Sequence, residues 1–122
     1  DLTFSVEESI RDIFMDQTLP DIIICLNELS TTCVYQAVVD YNCVGEIAIL
    51  GYYDTDTILK AIERNVITAT ISIDTEQMGA FCVDALQEYY NYGYTSQYFT
   101  ADVTVIDQSN VEEYLGKQEE AE

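Results

Sequence analysis

The chain has 122 residues, a length that suits one domain with a single core. Its apolar fraction of 48% indicates a folded protein rather than a disordered one. There are 23 acidic residues against 4 basic ones, which gives a net charge of −19. Such a charge repels phosphate backbones, so we expect no binding to nucleic acid. The sequence also contains no histidine, the commonest general base and metal ligand.

The first forty residues predict two strands, each followed by a helix. Leu2–Ser5 is expected to form a short edge strand, and Ser5 is expected to cap a helix over Val6–Gln17. The run Ile22–Leu26 is continuously apolar and β-branched, which predicts a strand buried on both faces. A helix is expected to follow over Ser30–Tyr41.

The stretch Glu46–Asp54 has the pattern of a buried parallel strand that ends in a turn. The apolar run Ile47–Leu50 meets Gly51, and two tyrosines and Asp54 follow at once. Open α/β sheets bind ligands outside the carboxyl ends of their strands. This stretch is therefore the first candidate for a binding site.

The rest of the chain continues the alternation of helices and strands. The predicted elements are a helix over Thr57–Arg64, a strand over Val66–Ile73, a helix over Glu76–Tyr92 ended by Gly93, a strand around Val103 and Val105, and a helix over Asn110–Leu115. The long helix carries an apolar stripe, expected to pack in the core: Met78, Phe81, Cys82, Ala85, Leu86 and Tyr89. This alternation predicts an α/β fold with a parallel sheet. We expect one lobe over residues 1–116 and an acidic tail over residues 117–122.

The four cysteines do not have the spacing of a zinc or thioredoxin motif. They are Cys25, Cys33, Cys43 and Cys82, and we expect them to act as small buried apolar residues. Their disulfide state does not follow from the sequence. No apolar run reaches the length of a membrane span, and no signal sequence is visible at Asp1.

Polar side chains follow three predicted strands, at Asn27, Asp54 and Asp74. If the strands are parallel, these side chains emerge at one edge of the sheet, each beside a helix N-terminus. Asp accepts hydrogen bonds from two hydroxyls and Asn both donates and accepts, so the set suits a sugar. Tyr52 or Tyr53 could lie against the apolar face of a pyranose ring. The alternative is that the three polar residues cap their helices and bind nothing.

An enzyme is the second class of function to weigh. Asp54, Asp56 and Asp74 could hold magnesium, as in receiver-type phosphoacceptor domains. Those domains also need a lysine after a late strand, and the late strands here have none. The sequence has no glycine-rich phosphate loop either. We therefore expect no metal site and no cofactor.

Six motifs in order resemble the C-terminal part of type I periplasmic sugar-binding proteins, over nearly the whole chain. These solute receptors of ABC transporters are related to ribose- and galactose-binding proteins. The motifs are Pro20–Glu28, Ala48–Asp54, Leu59–Glu63, Ile67–Ile71, Met78–Ala80 and Val105–Val111. The same fold serves as the effector domain of LacI-type repressors, which is the alternative function within this resemblance.

The resemblance implies a Rossmann-like three-layer sandwich with a mainly parallel sheet that binds sugar without catalysis. It implies that Asn27 and Asp54 contact sugar hydroxyls and that Tyr52 or Tyr53 supplies the aromatic contact, with Tyr53 as the candidate. Asp74 falls near a third contact, for which relatives commonly have Gln. For the full-length protein it implies an extracytoplasmic location and a permease partner.

The resemblance also implies that a second lobe is missing from this chain. In relatives the helix Glu76–Tyr92 and the strand near Val103 mostly belong with that lobe. We therefore expect an exposed apolar face here and a possible homodimer of the fragment.

Overall fold

A computed structural model describes residues 2–118, in which five helices alternate with four strands. The elements are α1 (Leu2–Met15), β1 (Ile22–Ile24), α2 (Glu28–Asp40), β2 (Ala48–Tyr52), α3 (Asp56–Glu63), β3 (Ala69–Ile73), α4 (Thr75–Tyr92), β4 (Val103–Asp107) and α5 (Val111–Gln118). The predicted α/β class is confirmed. From β1 onward, each predicted helix and strand is found within a few residues of its expected bounds.

The strands form one sheet in the order β1-β2-β3-β4. β1 and β2 are parallel, with Ile24 opposite Leu50, and β2 and β3 are parallel, with Tyr52 opposite Ile71. A helix makes each connection, as parallel neighbours require. The mainly parallel sheet is thus confirmed, and the carboxyl ends of β1 and β2 lie at the same edge.

The chain separates into two compact units. The first contains the residues up to Ile71 and those from Val105 onward, and the second is Ser72–Thr104. The buried apolar side chains belong to the first unit: Ile10, Phe14, Cys25, Val34, Val38, Cys43, Ile47, Ile49, Ile58, Leu59, Ala61, Ile62, Ile67, Ile106 and Val111. The division into a lobe over residues 1–116 and a tail over residues 117–122 stays a prediction. Residues 119–122 of that tail lie outside the described residues.

The N-terminal segment differs from its prediction. α1 begins at Leu2, so the expected edge strand over Leu2–Ser5 is wrong, and Ser5 is not a cap. Instead, the carbonyl oxygen of Ser5 accepts a hydrogen bond from Ser9 Oγ one turn later (2.9 Å). The second half of α1 packs against the rest of the protein. Ile10 and Phe14 are buried there, and the Phe14 ring stacks on the Tyr41 ring with the centroids 5.5 Å apart. Packing of this kind outweighs the weak local preference of a short segment.

β1 is not buried on both faces, and that prediction is wrong. Ile22 is 56% exposed and Ile24 is 65% exposed. Leu50, which is opposite Ile24 in the register, is also exposed, and so is Ile71 in β3. Of the positions between them, Ile49 and Thr70 are buried and Ile23 is half-buried. The apolar run was therefore a correct signal for a strand, but one face of the sheet leaves its aliphatic side chains exposed.

α4 differs most from expectation. No side chain of α4 is buried, so the prediction that its apolar stripe packs in a core is wrong. Phe81 contacts Phe99 of the same unit (ring centroids 5.4 Å apart), while Leu86 and Tyr89 are exposed. The exposed apolar face implied by the resemblance is therefore observed. Gly93 ends the helix as predicted, in the left-handed region (φ 76°).

Candidate functional site

Asn27 begins α2 at the carboxyl end of β1. Its Oδ1 accepts hydrogen bonds from the Ser30 backbone N–H (2.8 Å) and from Ser30 Oγ (2.9 Å). Asn27 is therefore the N-cap of α2, as one of the two sequence interpretations expected. The cap uses only the carbonyl oxygen of the side chain, which is exposed to solvent. The Nδ2 group is not needed for the cap.

Tyr53 has a backbone conformation that is unusual for a bulky residue. Its φ of 85° lies in the left-handed region, which costs a non-glycine residue about 1–2 kcal/mol. Two hydrogen bonds hold the conformation. The Tyr53 N–H donates to the carbonyl oxygen of Ile71 (2.8 Å), and the Tyr53 carbonyl oxygen accepts from Thr70 Oγ1 (2.6 Å). Tyr53 as a whole residue is 36% exposed, beside the edge where β1 and β2 end.

Asp54 does not cap the helix that follows it. Thr55 is the N-cap of α3, and its side-chain oxygen accepts from the Ile58 N–H (3.5 Å). Asp54 is half-buried, next to Tyr53 in the same turn. The N-cap of α3 is therefore Thr55, and not Asp54 as the capping interpretation expected.

Asp74 lies in the second unit and caps α4. Its Oδ1 accepts from the Gln77 N–H (2.9 Å), and its own N–H donates to the carbonyl oxygen of Asp102 (3.0 Å). The side chain is exposed. Asp74 is therefore the N-cap of α4.

A buried threonine joins the segments of Asn27 and Tyr52. Thr31 Oγ1 donates to the carbonyl oxygen of Asn27 (2.8 Å) and accepts from the Tyr52 N–H (3.0 Å). One hydroxyl therefore connects the start of α2 with the turn that carries Tyr53 and Asp54. Thr31 was not among the residues predicted from the sequence. Its signal was helical spacing, since Thr31 lies on the same face as the buried Val34 and Val38.

The four cysteines differ in how far they are buried. All four are free thiols, with Cys25 and Cys43 buried, Cys33 half-buried and Cys82 exposed. The expectation of burial is wrong for Cys82, because α4 has no covering layer in its own unit. Burial raises the pKa of the Cys25 thiol, and a hydrogen bond with Thr31 acts in the opposite direction. The thiol of Cys25 is thus in the neutral, unreactive form at neutral pH.

Over residues 2–118, no three Cys, Asp or Glu side chains come together in a way that could hold a metal ion. Within the same range, no helix has both the length and the apolar character needed to cross a bilayer.

Comparison with known proteins identifies the fold. No protein-family model matches the chain, and a comparison with curated proteins gave no match. Solved structures do match. An ABC transporter periplasmic solute-binding protein from Actinobacillus succinogenes, with bound D-allose, has a TM-score of 0.79 at 15% identity over 92% of this chain. A sugar-binding protein of a Bacillus halodurans sugar ABC transporter has a TM-score of 0.76 at 18% identity over 92% of the chain. The XylFII–LytSN complex has a TM-score of 0.73 at 25% identity over 85% of the chain.

The chain spans only part of each of these structures. It covers 40% of the D-allose-bound protein, 42% of the Bacillus halodurans protein and 36% of the matched chain in the XylFII–LytSN complex. The α/β arrangement accordingly matches one lobe of the periplasmic-binding-protein fold. The resemblance predicted from the sequence is confirmed: the structural neighbours of this chain are type I periplasmic sugar-binding proteins of ABC transporters.

Proposed function

We propose that the chain is the C-terminal portion of an ABC-transporter solute-binding protein and that it contributes to binding a carbohydrate without chemical change. The fold supports this, since the neighbours include a sugar-binding protein of an ABC transporter and a protein with bound D-allose. The observation that carries the proposal is local. Asn27 and the turn Tyr52–Asp54 meet at the carboxyl edge of β1 and β2, where the Thr31 hydroxyl joins them. Open α/β sheets bind ligands outside that edge.

The three residues supply complementary contacts to a sugar. The carboxylate of Asp54 can accept hydrogen bonds from two neighbouring hydroxyls, and Asn27 Nδ2 can donate to a hydroxyl or ring oxygen. The partly exposed ring of Tyr53 offers an apolar surface to the C–H face of a pyranose. These features favour a neutral polyhydroxylated ligand over an anion, because the chain has a net charge of −19.

A contribution of Asp74 to sugar binding is proposed separately. One of its carboxylate oxygens is engaged by the Gln77 N–H, and the residue belongs to the second unit. A contribution to binding is tested by its own substitution, Asp74→Asn, which is expected to weaken binding less than the loss of Asp54.

The role in transport follows from the same proposal. A solute-binding protein of this type acts outside the cytoplasm, delivers its ligand to a permease and is not an enzyme. The D-allose-bound neighbour is a periplasmic solute-binding protein, which supports that location. The residues encoded upstream decide between this role and the effector domain of a repressor. A second α/β lobe behind a secretion signal supports transport, and a helix-turn-helix contradicts it.

The exposed apolar side chains of α4 lead us to propose that the isolated fragment forms a homodimer. Leu86 and Tyr90 are 70% and 90% exposed, and an apolar surface of this kind favours association. Sedimentation velocity in salt high enough to screen the negative charge is expected to show a concentration-dependent dimer. A monomer at every concentration contradicts this.

The site is tested by removing the charge of Asp54 in the complete encoded protein. Asp54→Asn is expected to weaken sugar binding at least about tenfold in isothermal titration calorimetry, because a charged hydrogen-bond acceptor is lost. The matched control is Asp40→Asn, which makes the same charge change at the far end of α2, about 20 Å from Asn27. Equal affinities for the two variants contradict the assignment. Loss of folding in Asp54→Asn alone, measured by circular dichroism, favours a structural role.

A further inference from the structure

We propose that Thr31 is a positioning residue of the binding site, whose hydroxyl fixes the segment of Asn27 relative to the turn of Tyr53 and Asp54. The inference rests on the proposed function and deepens it. Thr31 itself is 0% exposed, so it cannot contact a ligand. Its effect on binding must pass through the residues that it holds.

The β1–β2 ladder alone does not reach the proposed contacts. It extends to the Cys25 N–H, which donates to the carbonyl oxygen of Leu50 (2.8 Å). Asn27 and Tyr52 each lie two residues further on. The Thr31 hydroxyl continues the connection there, with hydrogen bonds of 2.8 Å to Asn27 O and 3.0 Å from Tyr52 N. It therefore joins the two strand ends at the point where the contacts begin.

Close packing leaves the Thr31 side chain little freedom. A Cβ atom on Gly51 would lie 2.6 Å from Thr31 Cγ2 and 3.3 Å from Thr70 Oγ1. The backbone of Gly51 therefore passes between two buried threonines, and only glycine leaves room for both. Thr70 holds the other side of the turn through its bond to the Tyr53 carbonyl oxygen (2.6 Å). The turn is thus held both from α2 and from β3.

A fixed turn matters because binding sites work best when their contacts are set before the ligand arrives. The turn of Tyr53 depends strongly on its hydrogen bonds, because the residue has a strained φ. A turn in that conformation relaxes when those hydrogen bonds are lost. Without the Thr31 hydroxyl, the Tyr52 N–H would be left without its partner. We expect the turn to move toward a relaxed conformation, and the carboxylate of Asp54 to move with it.

The test compares three variants of the complete encoded protein by titration with a panel of monosaccharides. Thr31→Val keeps the shape and removes the hydroxyl, and it is expected to weaken binding at least tenfold. Thr31→Ser keeps the hydroxyl and is expected to bind within about threefold of the wild type. The matched control is Thr32→Val, because Thr32 Oγ1 donates within α2 to the Glu28 carbonyl oxygen (2.7 Å), and it is expected to leave affinity unchanged.

A second measurement separates this inference from the proposed function. The Tyr52 amide is expected to exchange its hydrogen at least tenfold faster in Thr31→Val than in the wild type or in Thr32→Val, as followed by NMR without sugar. If the wild type binds no sugar in the panel, the proposed function fails, and unchanged Tyr52 exchange overturns the inference as well. If the wild type binds sugar and Thr31→Val binds it equally well, only the inference is overturned. Should Thr31→Val not fold, Thr31→Ala is compared with Thr31→Ser in the same two measurements.

Discussion

The two units of the chain are stabilised in different ways. In the first unit, helices bury their apolar side chains against the sheet, and Ile49, Ile58 and Ile62 have no exposed surface. In the second unit, α4 has 18 residues and none of them is buried. Its ends are held by caps instead: the Asp74 side chain accepts from the Gln77 N–H at the N-terminus, and the Gly93 backbone N–H donates to the Tyr89 carbonyl oxygen at the C-terminus. The first unit therefore has the core of a domain, whereas the second has the local structure of a helix without a core.

This difference bears on function because a rigid site needs a rigid support. Burial of apolar surface contributes about 25 cal/mol per Å² to the stability of the folded state. Nearly all of the buried apolar surface belongs to the first unit. The proposed contacts Asn27, Tyr53 and Asp54 lie on that unit. The exposed side chains of α4 contribute little until another surface covers them. Matched pairs of variants in the two units test this difference.

The largest effect is expected from truncating the core. Ile58→Ala should reduce the free energy of unfolding by about 2–5 kcal/mol, because it removes buried methylene groups and leaves a cavity. Leu86→Ala on α4 should change it by less than about 0.5 kcal/mol, since that side chain is mostly exposed. Urea unfolding followed by circular dichroism measures both. Equal losses would show that α4 is packed as firmly as the core.

The next effect concerns two glycines. Gly51→Ala should cost about 1–3 kcal/mol, because the new methyl group would lie 2.6 Å from Thr31 Cγ2 in a packed interior. Gly79→Ala on α4 has nothing within 4 Å and should raise helix stability by about 0.5–1 kcal/mol. Thermal unfolding of the two variants is the measurement. A neutral Gly51→Ala variant would contradict the close approach of β2 to Thr31.

A smaller effect is expected at Tyr53. Tyr53→Ala and Tyr53→Gly both remove the ring, but only glycine adopts a φ of 85° without strain. The glycine variant should therefore be more stable than the alanine variant by about 1 kcal/mol, the reverse of the usual order. Denaturant midpoints of the two variants decide this. If alanine is the more stable, the left-handed conformation of Tyr53 is wrong.

The smallest effect is a pH dependence in the second unit. Glu88 accepts hydrogen bonds from the Ser96 N–H (2.8 Å) and from the Thr95 hydroxyl (3.0 Å), which lower the pKa of its carboxyl below the ordinary 4.5. Since the pKa is lowered in the folded state, this stabilisation is present above pH 4.5 and is lost as the pH falls through the lowered value.

The Ser96 amide shift in NMR should therefore titrate below pH 4.5 in the wild type and stay constant in Glu88→Gln. Asp84→Asn, which removes another acid of α4, serves as the control and should leave the titration unchanged. Persistence of the titration in Glu88→Gln would assign it to a different group.

Much of the fold could be predicted from the sequence, because it depends on local patterns. The apolar runs predicted three strands, and Gly93 predicted the end of α4. The errors concern which faces are covered. Ile22, Ile24 and Ile71 are aliphatic but exposed, whereas Thr70 is polar but buried. Apolar character shows that a face is suited to burial, but the partner that covers it is set by tertiary structure.

In the candidate site, too, the features set by local sequence could be predicted and those set by tertiary contacts could not. The polar residues after the strands could be named from their positions, and capping was correctly foreseen for Asn27 and Asp74. That Thr55 rather than Asp54 caps α3 could not be decided, since both residue types are good caps in adjacent positions. The role of Thr31 depends on a residue 21 positions away, and a single sequence does not show such a contact.

The central claim is that the protein containing this chain binds a carbohydrate. The most direct test is isothermal titration calorimetry of the complete encoded protein against a panel of pentoses, hexoses and inositols. The account predicts saturable 1:1 binding of at least one sugar, in the micromolar range or tighter, and binding at least about tenfold weaker in Asp54→Asn. The absence of binding heat for every sugar, with a folded protein at concentrations well above that range, would contradict it.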